Sequence, residues 1–315
     1  TRNADYVAQW TADEDTAYTV EYYYEENGAY PETATSSVKR SGTTDTEASV
    51  TAEDKKPNSA GYVFDESAEN ILKGTIAGDG SLVLKVYFKQ QFTVTYEPGT
   101  HGTFPSQKKE NLDYGTATPG FEGETTGDAG YAFAGWTPEV AETVTGNATY
   151  TAQWKANEDT KYTVEYYYQN EDGSYPTSTN MKREDRGTTD TRADVTDGDK
   201  TPEKAGYVFD ATNGSNVLSG TIAGNGSLVL KVYFKLQFTV TYKPGTQGTF
   251  EDQKTENLDY GTETPAFEGT PSGNAGYTFA GWTPSVAGTV TRNADYVAQW
   301  TADEDTAYTV EYYYE

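Results

Sequence analysis

Residues 1–25, TRNADYVAQWTADEDTAYTVEYYYE, recur without a change at 291–315. A diverged copy, TGNATYTAQWKANEDTKYTVEYYYQ, lies between them at 145–169. A chain that repeats itself must be built from units that fold beside near-identical neighbours, so the period constrains the architecture before any residue is considered. Trp10, Trp154 and Trp300 stand about 145 residues apart, far beyond the roughly 20–45 residues of a solenoid repeat. Each repeat is better read as a pair of small domains strung as beads.

Two module types alternate. Module A spans 18–89 and 162–235; it opens on YTVEYYY, passes GYVFD and closes on GTIAGDGSLVLKVYFK or GTIAGNGSLVLKVYFK. Module B spans 90–154 and 236–300; it opens on FTVTYEPGTHGTF or FTVTYKPGTQGTF, passes GYAFAGW or GYTFAGW and closes on ATYTAQW or ADYVAQW. Residues 1–10 match the last strand of a B module, and 308–315 match the first strand of an A module. The acidic segments TADEDTA (11–17) and KANEDTK (155–161) join B to A, whereas FKQQFTV and FKLQFTV join A to B with almost no linker. Each A module is therefore expected to sit stiffly against the B that follows it. The whole reads as a fragment of a longer tandem array, or as a subunit whose end strands complete neighbouring copies by strand addition.

The module strings alternate with period two, the mark of a half-buried strand. In YTVEYYY, Tyr18, Val20, Tyr22 and Tyr24 point one way and Thr19, Glu21 and Tyr23 the other. In SLVLKVYF, Leu82, Leu84, Val86 and Phe88 share one face, with Val83, Lys85 and Tyr87 opposite. Asn-Gly or Asp-Gly pairs at 25–30, 77–82, 170–175 and 223–228 suit hairpin turns with positive φ. Helix signals are scarce; Thr51 and Asp54 in TAEDKK predict a weak capping box with one or two helical turns. The expected class is all-β, or β with minor α, with Tyr22 and Tyr24 burying their rings against the sheet's partner face.

Composition excludes several functions. The chain carries 23 basic against 49 acidic residues, a net charge of −26, which repels nucleic acid and anionic membrane. It has no cysteine, hence neither disulfides nor thiolate chemistry. No apolar run is long enough to span a bilayer, so no membrane insertion is expected in this segment. With 27 tyrosines and 14% aromatic residues it is too aromatic for a disordered chain.

Module B, with FTVTYEPG and GYAFAGWTPEVAETVTGNATYTAQW, resembles the Listeria–Bacteroides repeat, also called the internalin B-repeat. Module A, with YTVEYYYQNEDGSYP, RGTTDT, GYVFD and GTIAGNGSLVLKVYFK, resembles the MucBP-type modules of Gram-positive surface proteins. Together the resemblance covers nearly the whole chain. It implies small β-grasp-like modules forming an elongated rod, set on a bacterial cell surface or cell wall. The implied partners are host glycan or mucin, or neighbouring copies of the same chain.

Catalysis needs a nucleophile with an activating base, or carboxylates converging in a pocket. The single histidine, His101, lies in PGTHGTF, and Gln247 takes its place in the second copy, which marks a turn residue. No protease, hydrolase, phosphate-loop or dinucleotide motif is present. No catalytic residue and no cofactor is assigned, and no enzyme is expected. Asp13, Glu14 and Asp15, echoed by Glu158 and Asp159, are candidate calcium ligands at the B-to-A junctions, against the plainer reading of a solvated linker. Tyr23 and Tyr167 are candidate stacking residues for a glycan. Trp136 and Trp282 in FAGW read as core, with Phe133 three residues from Trp136 and so on the opposite strand face. Lys85 and Lys231 sit inside apolar strands, where an isopeptide crosslink competes with simple exposure to solvent. The expectation is a non-catalytic stalk segment of a cell-surface adhesin; the alternatives are a filament subunit joined by strand addition and a glycan- or mucin-binding module.

Overall fold

The computed structural model describes residues 2–179 and 181–315. Contacts divide the chain into two compact units, residues 1–155 and 156–315. Among the described residues all regular structure is strand.

The first unit contains β1 (Thr16–Tyr24), β2 (Ser36–Gly42), β3 (Glu47–Ser49), β4 (Tyr62–Phe64), β5 (Lys73–Thr75) and β6 (Val83–Glu97). It continues with β7 (Gly102–Thr103), β8 (Gln107–Asp113), β9 (Thr126–Gly127), β10 (Tyr131–Thr137) and β11 (Ala148–Ala156). In the second unit, β12 (Thr160–Tyr168), β13 (Lys182–Gly187), β14 (Arg192–Asp194), β15 (Tyr207–Phe209), β16 (Ser219–Thr221) and β17 (Val229–Lys243) repeat the first six strands. There β18 (Gly248–Thr249), β19 (Gln253–Asp259), β20 (Ser272–Gly273), β21 (Tyr277–Thr283) and β22 (Ala294–Ala302) repeat the rest.

One strand organises each unit. β6 is 15 residues long, about 50 Å when extended. Its first half pairs with β1 in parallel and β4 in antiparallel; its second half pairs with β8 in antiparallel and β11 in parallel. β17 does the same with β12, β15, β19 and β22. The A-to-B join read in the sequence as linker-free is thus the middle of an unbroken strand. β2 and β13 flank β1 and β12, and β10 and β21 flank β11 and β22. Short ribbons, β3–β5 and β7–β9 with their second-unit counterparts, lie outside the main sheets.

Each unit holds two cores. Val20, Tyr22, Tyr24, Leu84, Val86 and Phe88 close on Ala48 and Ile76 from the small ribbon region of the first A module. Val20, Leu84, Val86 and Phe88 are fully buried, each such side chain contributing roughly 1.5–3 kcal/mol. Phe92, Val94, Tyr96, Val144 and Tyr150 form the first B core. The period-two assignment of YTVEYYY and SLVLKVYF therefore matches the observed faces.

Three local expectations change. Residues 51–56 make turns rather than helix: Thr51 and Asp54 exchange the hydrogen bonds of a capping box, but the segment turns away after them. Of the four Asn-Gly and Asp-Gly pairs, only Asn27-Gly28 has both residues at positive φ, closing a two-residue hairpin between Glu26 and Ala29. Asp79 and Asp172 instead accept hydrogen bonds from the amide and hydroxyl of Ser81 and Ser174, and only the glycine adopts positive φ. Phe133 and Trp136 do not diverge. Gly135 at φ +124° breaks the alternation, as Gly281 does at a register shift in β21, and the two rings meet edge to face at 5.2 Å.

Residues 2–10 join no sheet, although they repeat 291–300, much of which is β22; Thr1 lies outside the described residues. Tyr6 is 95% exposed while its counterpart Tyr296 is 3% exposed. Residues 308–315 likewise join no sheet. An identical string is a strand only where a partner strand receives it.

Candidate functional site

The A-to-B joint of each unit is held by several polar contacts. Lys89 and Lys235, near the centres of β6 and β17, donate to Asp113 at 2.6 Å and Asp259 at 2.5 Å. The strand amides at the joint are also engaged. Gln90 N–H donates to Glu25 Oε2 at 2.9 Å and Gln91 N–H to Gly61 O at 2.7 Å. In the second unit Leu236 N–H donates to Gln169 Oε1 and Gln237 N–H to Gly206 O. The Asn27-Gly28 turn of module A lies on Tyr114 of module B; a Cβ on Gly28 would stand 2.5 Å from that ring. Tyr30 O–H donates to Asp65 at 2.6 Å nearby, and burial together with that carboxylate pushes the Tyr30 phenol far up. The hydrogen bond that Lys89 donates to Asp113 holds its ammonium in the charged form, its pKa raised.

A second polar centre lies inside each A module. Asp54, 5% exposed, accepts from Tyr22 O–H (2.6 Å), from both Arg40 terminal nitrogens (2.8 and 2.5 Å), and from the Thr51 amide and hydroxyl (2.8 and 2.7 Å). Burial alone would raise its pKa; the hydrogen bonds from Arg40, Tyr22 and Thr51 outweigh it and hold the carboxyl well below the usual range. Asp199 accepts from Tyr166, Thr196 and Arg183 in the same manner, and its pKa falls to about 2. Every carboxylate oxygen is occupied by the protein itself, so the centre is structural.

The other face of each A sheet carries tyrosines. Tyr23 stacks on Tyr87 at 4.6 Å and Tyr30 meets Tyr87 edge-on at 4.8 Å. Tyr167, Tyr233 and Tyr175 repeat the group. The Tyr23 phenol donates to Glu21, which with burial pushes its pKa up to about 12. Lys85 Nζ stands 5.5 Å over the Tyr23 ring, and Lys231 Nζ 5.8 Å over Tyr167, so both lysines are packed on rings rather than free in solvent. A cavity of about 410 Å³ opens beside Tyr23, Tyr30, Lys85 and Tyr87. Tyr23 and Tyr167 are only 5% and 4% exposed, so neither offers a free face for a sugar to stack on.

The remaining candidates are scattered. Asp13, Glu14, Asp15, Glu158 and Asp159 are exposed; Asp13 uses its backbone carbonyl on the Thr44 amide, and Asp159 faces Arg186 at 3.4 Å. Among the described residues no group of three or more His, Cys, Asp or Glu side chains could hold a metal ion. His101 stacks on Tyr131 at 4.1 Å in a loop, and its carbonyl accepts the Asp128 amide as the Gln247 carbonyl accepts that of Asn274. Trp136 and Trp282 pack into the B cores. Arg40, Lys89 and Asp113 carry no signal in the sequence pattern of a single copy, and Asp54 stands out there only as half of a capping box. Setting the two copies side by side would have singled out Lys89/Lys235 with Asp113/Asp259, because both pairs recur at the same places. No family model matches this chain, and no curated protein matches it.

Proposed function

We propose that the chain is a non-catalytic repeat segment of a bacterial cell-surface adhesin, acting as an extended stalk outside the cell. The observation that carries this reading is the continuous strand through each A–B pair. β6 and β17 leave no hinge residue at the joint, and a lysine–aspartate pair and a turn-on-ring contact brace it. Stiff pairs joined by short acidic segments set reach, while a charge of −26 opposes collapse and self-association. The central, parallel placement of the first and last strand of every module suits the β-grasp-like architecture that the family resemblance implies.

A filament joined by strand addition is the second reading. What favours it is that residues 308–315 carry the sequence seated in β1 with their own rings in solvent, Tyr312, Tyr313 and Tyr314 being 77–93% exposed. Electron microscopy of the 315-residue chain over a range of concentrations, with and without calcium, separates the two. Isolated extended particles of fixed length support the stalk, long filaments support strand addition, and compact particles overturn both. A bend that depends on calcium would bring Asp13, Glu14 and Asp15 back as ligands.

A further inference from the structure

We propose that each of the four modules is a shear clamp that resists tension applied along the chain. Each module is entered and left through neighbouring strands. The chain enters the first A module at the start of β1 and leaves through β6. These strands are neighbours and run parallel, Thr19–Tyr24 against Val83–Phe88. Tension draws β1 backwards and β6 forwards along a common direction, so the hydrogen bonds between them are loaded together. In a hairpin opened at its ends they are loaded one after another.

This placement is not the default for a small β domain. Parallel neighbours need a long crossover, whereas antiparallel neighbours need only a tight turn. All four modules nevertheless use it. Thr163–Tyr168 lies parallel to Val229–Phe234 in the second A module, Ala148–Thr151 to Val94–Glu97 in the first B, and Ala294–Val297 to Val240–Lys243 in the second B. Because β6 and β17 each belong to two clamps, tension leaving an A module passes directly into the next B.

The tyrosine-rich string gains a purpose here. Thr19 N–H to Leu82 O at 3.0 Å and Glu25 N–H to Phe88 O at 2.9 Å close the two ends of the first A clamp. Between them Tyr23 stacks on Tyr87 at 4.6 Å and Tyr24 on Phe88 at 4.8 Å, so rings on both faces of the sheet bridge the sliding pair. A clamps run over six paired positions and B clamps over four. The A modules therefore hold to higher force. The inference takes its purpose from the stalk reading, but the clamp itself follows from topology.

The chain has no cysteine, so thiol handles can be placed pair by pair. Ala17→Cys with Gln91→Cys pulls across the first A clamp. Ala17→Cys with Ser41→Cys pulls on residues that face each other across β1 and β2, and peels that hairpin open. Ala17 and Ser41 are exposed, and circular dichroism checks that both variants keep the fold. At one loading rate the 17/91 pair should rupture at a force several-fold above the 17/41 pair. Equal or lower force overturns the proposal. Should a variant fail to fold, the unmodified chain pulled by its ends gives the second reading. The larger, A-sized extensions should then appear at higher force than the B-sized ones, and the reverse order overturns it. A compact particle in the microscope would end the stalk reading without touching either force comparison, so the two failures are distinguishable.

Discussion

In the first A module the buried Asp54 meets Arg40, which stands opposite Tyr18 across the edge of the sheet. In the second, Asp199 meets Arg183, which stands opposite Val164, the counterpart of Val20. Arg40 and Arg183 are thus two residues apart in register. At the register position of Arg40 the second module has Asp185, which binds Arg183 at 2.6 Å and accepts the Tyr162 hydroxyl. The carboxylate, its threonine and its tyrosine are fixed in both modules; the guanidinium arrives from whichever edge-strand position can reach. A fold can keep a buried charge satisfied while its partner drifts along a strand, because Arg is long and its planar fork binds carboxylate from several directions. Near-identical neighbours can thereby diverge on their outer strands without disturbing the core.

The severest break removes the shared element. Asp54→Ala strands the buried Tyr22 hydroxyl and Arg40 and should cost about 3–5 kcal/mol in urea denaturation, whereas Asp199→Ala strands the half-buried Tyr166 hydroxyl but leaves Arg183 on Asp185 and should cost about 1–3 kcal/mol. A loss within about 0.5 kcal/mol, the range of an ordinary surface change, would show that the centre is dispensable. Moving the cation tests the comparison itself. Arg40→Ala should cost about 2 kcal/mol, since its bonds are to a charge but its side chain is 29% exposed. Adding Val38→Arg, which copies the register of the second module, should restore at least half of that loss, and no recovery would mean that the two registers are not equivalent.

Acid titrates the feature that the two modules share. Both carboxyls have folded pKa values below the unfolded one, so their stabilisation is complete above about pH 4 and fades as pH falls through the folded values. For Asp199 the loss runs from about pH 4 down to its folded value of about 2, and the Asp54 carboxyl is likewise held well below the usual range. Carbon NMR of the two side chains should show both still ionised at about pH 3, where an ordinary aspartate is mostly protonated. The smallest effect belongs to the joints. Lys89→Ala and Lys235→Ala remove pairs that are partly exposed on both sides, and each should cost no more than about 1 kcal/mol and weaken further in high salt.

How much of this was legible varied with range along the chain. Alternation in YTVEYYY and SLVLKVYF placed the right residues in the core because burial on one sheet face writes itself into neighbouring positions. The joint was legible as FKQQFTV because a strand needs no linker to continue. The helix expected at 51–56 failed because capping-box hydrogen bonds are local, and a turn makes them as well as a helix does. The Phe133–Trp136 pairing was hidden by one glycine, whose positive φ resets the strand's parity. Arg40 with Asp54 spans a change of element, and nothing in sequence spacing joins them. Tyr6 and Tyr296 mark the limit: identical strings, opposite exposure, decided by the presence of a partner strand.

The claim at the centre is that each A–B pair shares one strand without a hinge. Amide hydrogen exchange across 83–97 tests it most directly, since Gln90 and Gln91 N–H are bonded in the joint. A shared strand gives slow exchange at Gln90 and Gln91, on a par with the strand residues to either side. Fast exchange at those two amides, flanked by protected segments, would mean two independent modules on a flexible connection and would contradict it.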